Sequence, residues 1–377
     1  MDEDVIDMKI RKKLIIYLLI AIFIIITINM FFAKPNSGML KGNIVIWSEE
    51  KYYSYFNSIA KEFEENNKKV KVQVVKVNEE NYLEKILNAN SKELPNIVYL
   101  DFIKLNQIKD KLNFKEENKE IIETYSKNFN ENRLQEVRIN KDYNAVPFTS
   151  NPIGLFLRSD VLSNYGHKVE DINTWKELIS IGRDIYNKSN GEINIFSSKD
   201  KDNINLLITA QLVDLEGKEY SEAEIKDTIN EVYNNNFTND NNYICRIDSI
   251  DFYKDINMNE IDGAWECKNP PSFNIGENRF YDLGGENLVA LKVDDNKEAI
   301  KSFIAYSATH KELLSKELLN YNFVPSSLYS LRIKYDGKST KTSEGSSPFL
   351  ILSNIVERAP KIKNYNKFNY IIYDLYN

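Results

Sequence analysis

The sequence has few of the side chains that most often carry out catalysis. Its 377 residues include only two histidines and two cysteines. Histidine is the common proton shuttle, cysteine is a common nucleophile, and both are frequent ligands of transition metals. There is also no GxSxG, HExxH, paired CxxC or GxGxxG motif. We therefore predict no enzymatic activity, no cofactor and no metal site. A glycosidase built on paired carboxylates is the one enzyme class left open, and only the abundance of acidic residues favours it.

An excess of positive charge is also missing. Asp and Glu number 56 against 49 Lys and Arg, which gives a formal net charge of -7. A nucleic-acid partner is therefore not expected. The 42% hydrophobic and 28% charged residues are typical of a folded globular protein, and the length allows two or three domains or one two-lobed unit.

One long apolar run lies near the N-terminus. Residues from Leu14 to Ala33 carry no charge, and about 20 helical residues span the roughly 30 Å hydrocarbon core of a membrane. Basic residues precede the run, which predicts that this side stays in the cytoplasm. We expect a cytoplasmic N-terminus (1–13), a transmembrane anchor (14–33) and a linker (34–41), and then an extracellular domain of a single-pass cell-membrane protein.

A cleaved signal peptide is the alternative to this anchor. Its apolar region is usually shorter and ends in a small-x-small site, whereas Phe31 occupies the first small position before Ala33. No cysteine follows the apolar run, so a lipoprotein-type anchor has no acceptor.

The first part of the presumed ectodomain alternates between strand and helix patterns. Strands are predicted at Asn43–Trp47, Val70–Val77 and Asn96–Leu100, with helices at Tyr52–Asn67 and Asn81–Ala89 between them. This order predicts an α/β fold with a mainly parallel sheet, on which ligands bind at the carboxyl ends of the strands.

Further along the chain, Thr174 and Glu177 have the spacing of a capping box, which predicts a helix from Trp175 to about Lys188 with Trp175 packed inside. A long helical region is expected at 296–319. Exposed loops are expected at 233–243 and 339–347, and His167 and His310 are expected to be solvated.

Cys245 and Cys267 leave two alternatives open. Outside the membrane a disulfide between them can persist and would stabilise the fold by roughly 3 kcal/mol. Two free buried thiols are the other possibility, because spacing alone cannot show that the two Cα atoms come within reach.

A series of short segments resembles the extracellular solute-binding proteins of ABC importers, in the carbohydrate-binding group that includes maltose-binding proteins. Each segment is weak alone, but their order and spacing run along nearly the whole ectodomain. The segments are Gly42–Ser48, Phe63–Glu65, Val70–Val72, Leu94–Val98, Val146–Phe148, Gly154–Leu155, Asn173–Leu178, Asp262–Trp265, Gly284–Gly285, Asn296–Ala299 and Val324–Ser327.

The resemblance implies two α/β lobes, made of discontinuous segments, that close on a ligand about a hinge. The implied boundaries are 42–145 plus 283–321 for the first lobe and 146–282 plus 322–377 for the second. Trp47 and Trp265 can stack on the ligand or pack inside the lobes. The ligand contacts that the resemblance suggests are Trp47, Ser48, Glu49, Asp101, Phe148, Trp265, Gly284, Gly285 and Tyr365.

The predicted function is capture of a small solute, a sugar or oligosaccharide, by a monomer that delivers it to ABC permease subunits. The alternative is an extracellular sensor or interaction module with the same fold, which signals to a membrane partner. The uncleaved anchor and a C-terminal tail that is shorter than usual for the family favour that alternative.

Overall fold

The computed structural model describes residues 40–90, 93–112, 114–234, 241–258, 260–291, 296–332 and 347–376. The predicted cytoplasmic segment and transmembrane anchor lie outside these residues, as do most of the linker and most of the loop 339–347. In the part of the chain that is described, no helix has the length and apolar character needed to cross a membrane.

The strands are short apart from the first two. In chain order they are β1 (Lys41–Ser48), β2 (Lys69–Lys76), β3 (Ile97–Leu100), β4 (Arg138–Ile139), β5 (Asp142–Tyr143), β6 (Val146–Pro147), β7 (Thr149–Ser150), β8 (Gly154–Arg158), β9 (Cys245–Asp248), β10 (Trp265–Lys268), β11 (Asn287–Ala290) and β12 (Val324–Pro325).

Helices occupy most of the remaining chain. They are α1 (Glu50–Asn66), α2 (Tyr82–Asn88), α3 (Phe102–Gln107), α4 (Lys115–Thr124), α5 (Glu131–Glu136), α6 (Ser159–Asn164), α7 (Trp175–Lys188), α8 (Lys201–Val213), α9 (Glu222–Ile229), α10 (Ile250–Asn257), α11 (Lys297–Thr309), α12 (Lys311–Leu319), α13 (Leu328–Leu331), α14 (Pro348–Arg358) and α15 (Tyr365–Tyr376).

The larger sheet has five strands in the order β2-β1-β3-β11-β6. β1 pairs in parallel with β2 and β3, as the strand-helix alternation predicts, whereas β11 is antiparallel to both β3 and β6. The reversal of β11 brings its first residue to the same edge of the sheet as the last residues of β3 and β6. The register is explicit, because Asn287 pairs with Leu100 on one side and with Pro147 on the other.

A second sheet of three antiparallel strands has the order β10-β8-β9. It separates two smaller groups of buried side chains, one that includes Trp175 of α7 and one that includes Trp265 of β10. The five-stranded sheet has its own apolar core. We call the two parts the five-stranded half and the three-stranded half.

The chain passes between these halves three times. At each crossing, buried apolar residues that follow one another in the sequence belong to different cores. These pairs are Phe148 and Ile153, Leu283 and Leu288, and Phe323 and Val324.

The crossing segments are bonded to one another. Phe148 and Thr149 both donate backbone hydrogen bonds to the Glu286 carbonyl, and Ser326 donates one to the Phe148 carbonyl. β7 also pairs with β12. The region between the halves is therefore a bundle of hydrogen-bonded extended chain.

The capping box of α7 is present as predicted. The Glu177 amide donates to the Thr174 hydroxyl, and the Glu177 carboxylate accepts from the Thr174 amide at 2.9 Å. The helix spans Trp175–Lys188, and Trp175 is buried.

The predicted helical region 296–319 is divided into α11 and α12 at His310. His310 accepts a hydrogen bond from the Leu313 amide and so caps α12, and its Nε2 lies 2.8 Å from Glu62. His167 is similarly paired, 2.7 Å from Asp184. The expectation of solvated histidines was wrong for both, since each ring is at least half-buried against a carboxylate.

Candidate functional site

The edge of the five-stranded sheet where β1, β3 and β6 end carries a group of polar side chains. Ser48 is the last residue of β1 and Glu49 follows it, Asp101 follows β3, and Glu286 precedes the antiparallel β11. The pairing of Asn287 with Leu100 makes Asp101 and Glu286 neighbours at this edge. Ligands of such sheets bind at this position.

Glu49 and Asp101 each precede a helix. Asp101 caps α3: its Oδ1 accepts from the Lys104 amide at 2.8 Å, and its Oδ2 lies 3.0 Å from Lys104 Nζ. Glu49 occupies the N-cap position of α1 without a side-chain capping bond, and its amide donates to the Tyr99 hydroxyl at 2.6 Å. Both carboxylates are half-buried.

A cavity of about 200 Å³ lies between the two halves next to this edge. Its lining from the five-stranded half and the crossings is Lys51, Tyr52, Thr149, Ser150, Asn151, Gly285, Glu286 and Phe323, and its lining from beyond the crossings is Ser249, Ile250, Asp251 and Val324. The volume is below the 300–1,000 Å³ typical of small-molecule pockets, so this cleft is narrow in the structure.

An ion pair joins the two walls of the cleft. Lys51 Nζ of α1 lies 2.9 Å from Asp251 Oδ2 of α10. Both side chains are largely exposed, so the pair contributes little to stability. It does show that the mouth of the cleft can be bridged by side chains alone.

Among the carboxyl groups of the cleft, that of Glu286 has the pKa that is shifted most from its ordinary value. Burial, together with the nearby Asp101 and Glu49 carboxylates, raises its pKa to about 8. The Glu286 amide donates to the Thr149 hydroxyl at 2.8 Å. Burial also raises the pKa of Tyr52, which lines the same cavity.

The floor of the cleft rests on a buried polar network centred on Arg133 of α5. Arg133 is fully buried, forms an ion pair with Glu136 and donates to Asn287 Oδ1 at 2.9 Å. Glu136 in turn accepts from the Gly284 amide at 3.2 Å. Since these partners belong to the crossing segments, α5 fixes the position of the chain between the two halves.

Gly284 and Gly285 act through their backbone. Their φ angles are +104° and +107°, values that side-chain-bearing residues rarely adopt. A Cβ on Gly285 would lie 2.2 Å from the Thr149 carbonyl oxygen. Glycine at 285 therefore lets the crossing segment approach β7 closely, at the wall of the cleft.

Of the nine predicted ligand contacts, all of which lie within the described residues, one lines this cavity, Gly285. Phe148, which follows β6, is fully buried among aromatic rings, with Tyr52 at 5.6 Å, so its side chain belongs to the core and does not line this cleft. Ser48 is also fully buried, and its hydroxyl donates to the Glu49 carbonyl. Trp47 is half-buried against the five-stranded core, and its carbonyl accepts from the Tyr82 hydroxyl.

Trp265 packs rather than stacks on a ligand. It is 2% exposed, its indole nitrogen donates to the Asp262 carbonyl, and its ring meets Phe252 edge to face at 4.9 Å. α10 covers this face of β10, which explains the burial. Its burial and these ring contacts favour the packing alternative for Trp265.

Tyr365 lines a different cavity, of about 330 Å³, beside Arg138 and Tyr143. It is thus not brought together with Glu49 and Asp101. Sequence reasoning missed most of the cleft, including the charged residues Lys51, Asp251 and Glu286 and the ring of Tyr52. Glu286 directly follows the Gly284–Gly285 segment, and Lys51 lies three residues after the segment that ends at Ser48.

Cys245 and Cys267 are free, buried thiols. They lie on β9 and β10, which flank β8 on opposite sides. Two strand spacings of about 4.8 Å separate them, which exceeds the Cα distance that a disulfide bridges. The disulfide alternative is therefore excluded by the sheet order.

Comparison with known proteins gives one matching family and many solved structures that share one fold. The model of the family described as bacterial extracellular solute-binding protein matches residues 47–312. No curated protein sequence matches the chain. Solved structures with the same fold include three whose identity to this chain is below 16%.

The GacH receptor of Streptomyces glaucescens, solved without ligand and with acarbose, has 15% identity and a TM-score of 0.60 over 89% of this chain and 98% of its own. The sugar-binding protein MalE from Xanthomonas citri has 13% identity and a TM-score of 0.64 over 89% and 97%. The cyclic α-maltosyl-1,6-maltose binding protein from Arthrobacter globiformis has 12% identity and a TM-score of 0.65 over 89% and 100%. These matches confirm the predicted α/β fold of periplasmic-binding-protein type.

Proposed function

The chain belongs to the family of bacterial extracellular solute-binding proteins, and on that premise we propose that it captures a sugar or oligosaccharide in the cleft between its halves for an ABC importer. We further propose that residues 14–33 anchor it in the cell membrane. The two lobes of the proposal are 42–145 plus 283–321 and 146–282 plus 322–377.

The observation that carries the proposal is the composition of the cleft. Hydroxyl, amide and carboxyl groups from both halves face one cavity, together with the aromatic side chain of Tyr52. A few polar groups can hold sugar hydroxyls by hydrogen bonds, and an aromatic ring can pack against the face of the sugar ring. The relatives named above were solved as acarbose-binding, sugar-binding and maltosyl-maltose-binding proteins, which supports the same ligand class here.

In the proposed mechanism Glu49 and Asp101 accept hydrogen bonds from sugar hydroxyls on the five-stranded side. Asp251 and Ser249 approach from the three-stranded side. A ligand that contacts both walls makes interactions that an open cleft does not offer, so it shifts the population toward closure. If ligand hydroxyls replaced Lys51 and Asp251 as each other's partners, the ion pair would open and the ligand could enter the cleft.

Thermal unfolding with a panel of oligosaccharides tests the proposal. The panel is maltose, maltotriose, acarbose and β-1,6-galactobiose. A sugar at 100 times its Kd stabilises the protein by about 2.7 kcal/mol, which raises the Tm measurably. The Asp101→Ala variant should show a smaller shift, whereas Glu65→Ala, on the exposed face of α1, should respond like the wild type.

An unchanged Tm with every sugar of the panel would contradict carbohydrate capture. For the partner, we expect permease subunits to co-purify with the full chain from membranes. Recovery of a sensor kinase instead would favour the signalling alternative.

A further inference from the structure

Glu286 stands out among the charged residues of the cleft because the cations around it are already engaged. It lines the cavity, and its backbone is held on both sides: the amide donates to Thr149, and the carbonyl accepts from Phe148 and Thr149. The backbone of Glu286 is therefore held at the cleft wall by the crossing segments.

Two lysines lie near Glu286, and each has another carboxylate as its partner. Lys51 pairs with Asp251 at 2.9 Å, and Lys104 pairs with Asp101 at 3.0 Å. Among the described residues no cationic side chain lies within ion-pair distance of the Glu286 carboxyl. Arg133, a third cation in the surroundings of Glu286, forms an ion pair with Glu136 and donates a hydrogen bond to Asn287.

The groups that face Glu286 come from every element packed around it. From α1 and the residue before it they are Glu49, Lys51 and Tyr52; from β3 and α3, Tyr99, Asp101 and Lys104; from α2, Tyr82; from α5, Arg133; and from α10, on the opposite wall of the cavity, Asp251. Glu49 and Asp101 already place negative charge near Glu286, and the nearby lysines are paired with other carboxylates. In a partly desolvated cleft this arrangement disfavours a further negative charge on Glu286. A carboxyl group in such surroundings holds its proton at neutral pH and can donate a hydrogen bond.

We propose that Glu286 is a specificity-determining residue of the cleft, that it acts in its protonated form as a hydrogen-bond donor, and that the solute it selects is an uncharged polyhydroxyl compound with an acceptor oxygen at this point. This inference rests on the proposed function and deepens it. A solute carrying an ammonium group would favour the ionised carboxylate, and an anionic solute would meet the Glu49 and Asp101 charges.

The pH dependence of sugar affinity tests the role of Glu286. Calorimetric Kd values for maltose, maltotriose and β-1,6-galactobiose are measured from pH 6 to pH 9.5. With the pKa of Glu286 near 8, we expect wild-type affinity to be constant up to about pH 7.5 and about tenfold weaker at pH 9, because the donor is lost on ionisation.

Variants separate this role from a general loss of binding. Glu286→Gln keeps a donor and an acceptor without titrating, so its affinity should stay within about threefold of wild type at pH 6 and be independent of pH. Glu286→Ala should bind weakly at every pH. Glu65→Gln, a matched change on exposed α1, should keep the wild-type profile; circular dichroism verifies that each variant is folded.

The outcomes are distinct. A wild-type affinity that is flat with pH, or that rises with pH, overturns the protonated donor and leaves sugar capture standing. A pH-dependent Glu286→Gln variant overturns the assignment to Glu286. Failure of the wild type to bind any of the three sugars overturns carbohydrate capture and this inference together.

Discussion

At the scale of single residues, Asp282 is a carboxyl group that folding removes from water. It is 1% exposed, and its Oδ1 accepts from the Asn151 amide at 2.8 Å. Burial raises its pKa to about 6, although the nearby Arg133 charge opposes the rise. Since Asn132 also donates to the Asp282 carbonyl, this residue joins α5 to two of the three crossing segments.

Asp282 should make stability depend on pH in a definite direction. A raised pKa means that the folded state holds the proton more tightly, so this contribution is complete below the ordinary value of 3.8 and is lost as pH rises through about 6. We expect the free energy of unfolding of Asp282→Asn, relative to wild type, to increase by about 1 kcal/mol between pH 5 and pH 8. Urea unfolding of both proteins at the two pH values measures this, and a constant difference would contradict it.

The two cysteines give a second residue-scale prediction. Burial raises the pKa of both thiols, which lowers the reactive thiolate fraction. We expect no mass change on reduction and slow labelling by a thiol reagent in the native protein, followed by rapid labelling in denaturant. A loss of two thiol equivalents that reduction restores would show a bridge.

Some of the cleft could be predicted from sequence because its residues directly follow strands. Glu49 and Asp101 are found in this way, since the ends of parallel strands share an edge. Glu286 could not be placed, because its position depends on the pairing of β11 with β3 far away in the sequence. The resemblance suggested Phe148 and Trp265 as ligand contacts and left packing open for Trp265. An aromatic residue of a core cannot be told from one of a cleft in the sequence, because the difference depends on packing.

At the scale of elements, the segment from Gly284 to Glu286 determines how the chain enters the five-stranded sheet. Its two glycines share a positive φ but differ in surroundings: nothing lies within 4 Å of a Cβ on Gly284, whereas the Thr149 carbonyl blocks one on Gly285. The pair therefore allows backbone strain and steric clash to be measured separately.

Gly284→Ala should lower the free energy of unfolding by about 1–3 kcal/mol through the unfavourable φ alone. Gly285→Ala should lower it by a clearly larger amount, because β7 must also move. Denaturant unfolding of the two variants checks the order. Equal losses would mean that the crossing segments can separate without cost.

Helices and strands with local signals were predictable to within one or two residues, and α7 is the clearest case because its capping box and apolar face agree. The division of 296–319 at His310 was not predictable, since it depends on a contact between His310 and Glu62 of α1. The three-stranded sheet was missed for the same reason: β8, β9 and β10 are short and pair over long distances in the chain.

At the scale of the whole molecule, side-chain contacts also join the two halves outside the crossings, as where Gln135 of α5 bonds the backbone of Ile362. Lys51–Asp251 is another, and Phe102 of α3 makes a third, because it packs 6.1 Å from Phe368 of α15 within a core of the three-stranded half. A closing motion must therefore leave the Phe102 contact in place or break it.

A double-mutant cycle with Lys51→Ala and Asp251→Ala measures the Lys51–Asp251 contact. Both side chains are exposed, so we expect a coupling energy of about 0.2–1 kcal/mol that falls with added salt. The exposed pair Lys71–Glu64, which lies within one half, is the control for salt dependence. A coupling of several kcal/mol would show that the ion pair holds the cleft shut.

The position of β11 between β3 and β6 has a consequence for synthesis of the chain. Leu100 and Asn287, which are hydrogen-bonded, are 187 residues apart in the sequence. The five-stranded sheet lacks the strand between β3 and β6 until the ribosome has made just over three-quarters of the chain, so the N-terminal segments cannot complete a core as they emerge. Contacts of such long range slow folding, and they leave the strand edges of β3 and β6 open to chaperones, and to aggregation, for most of translation.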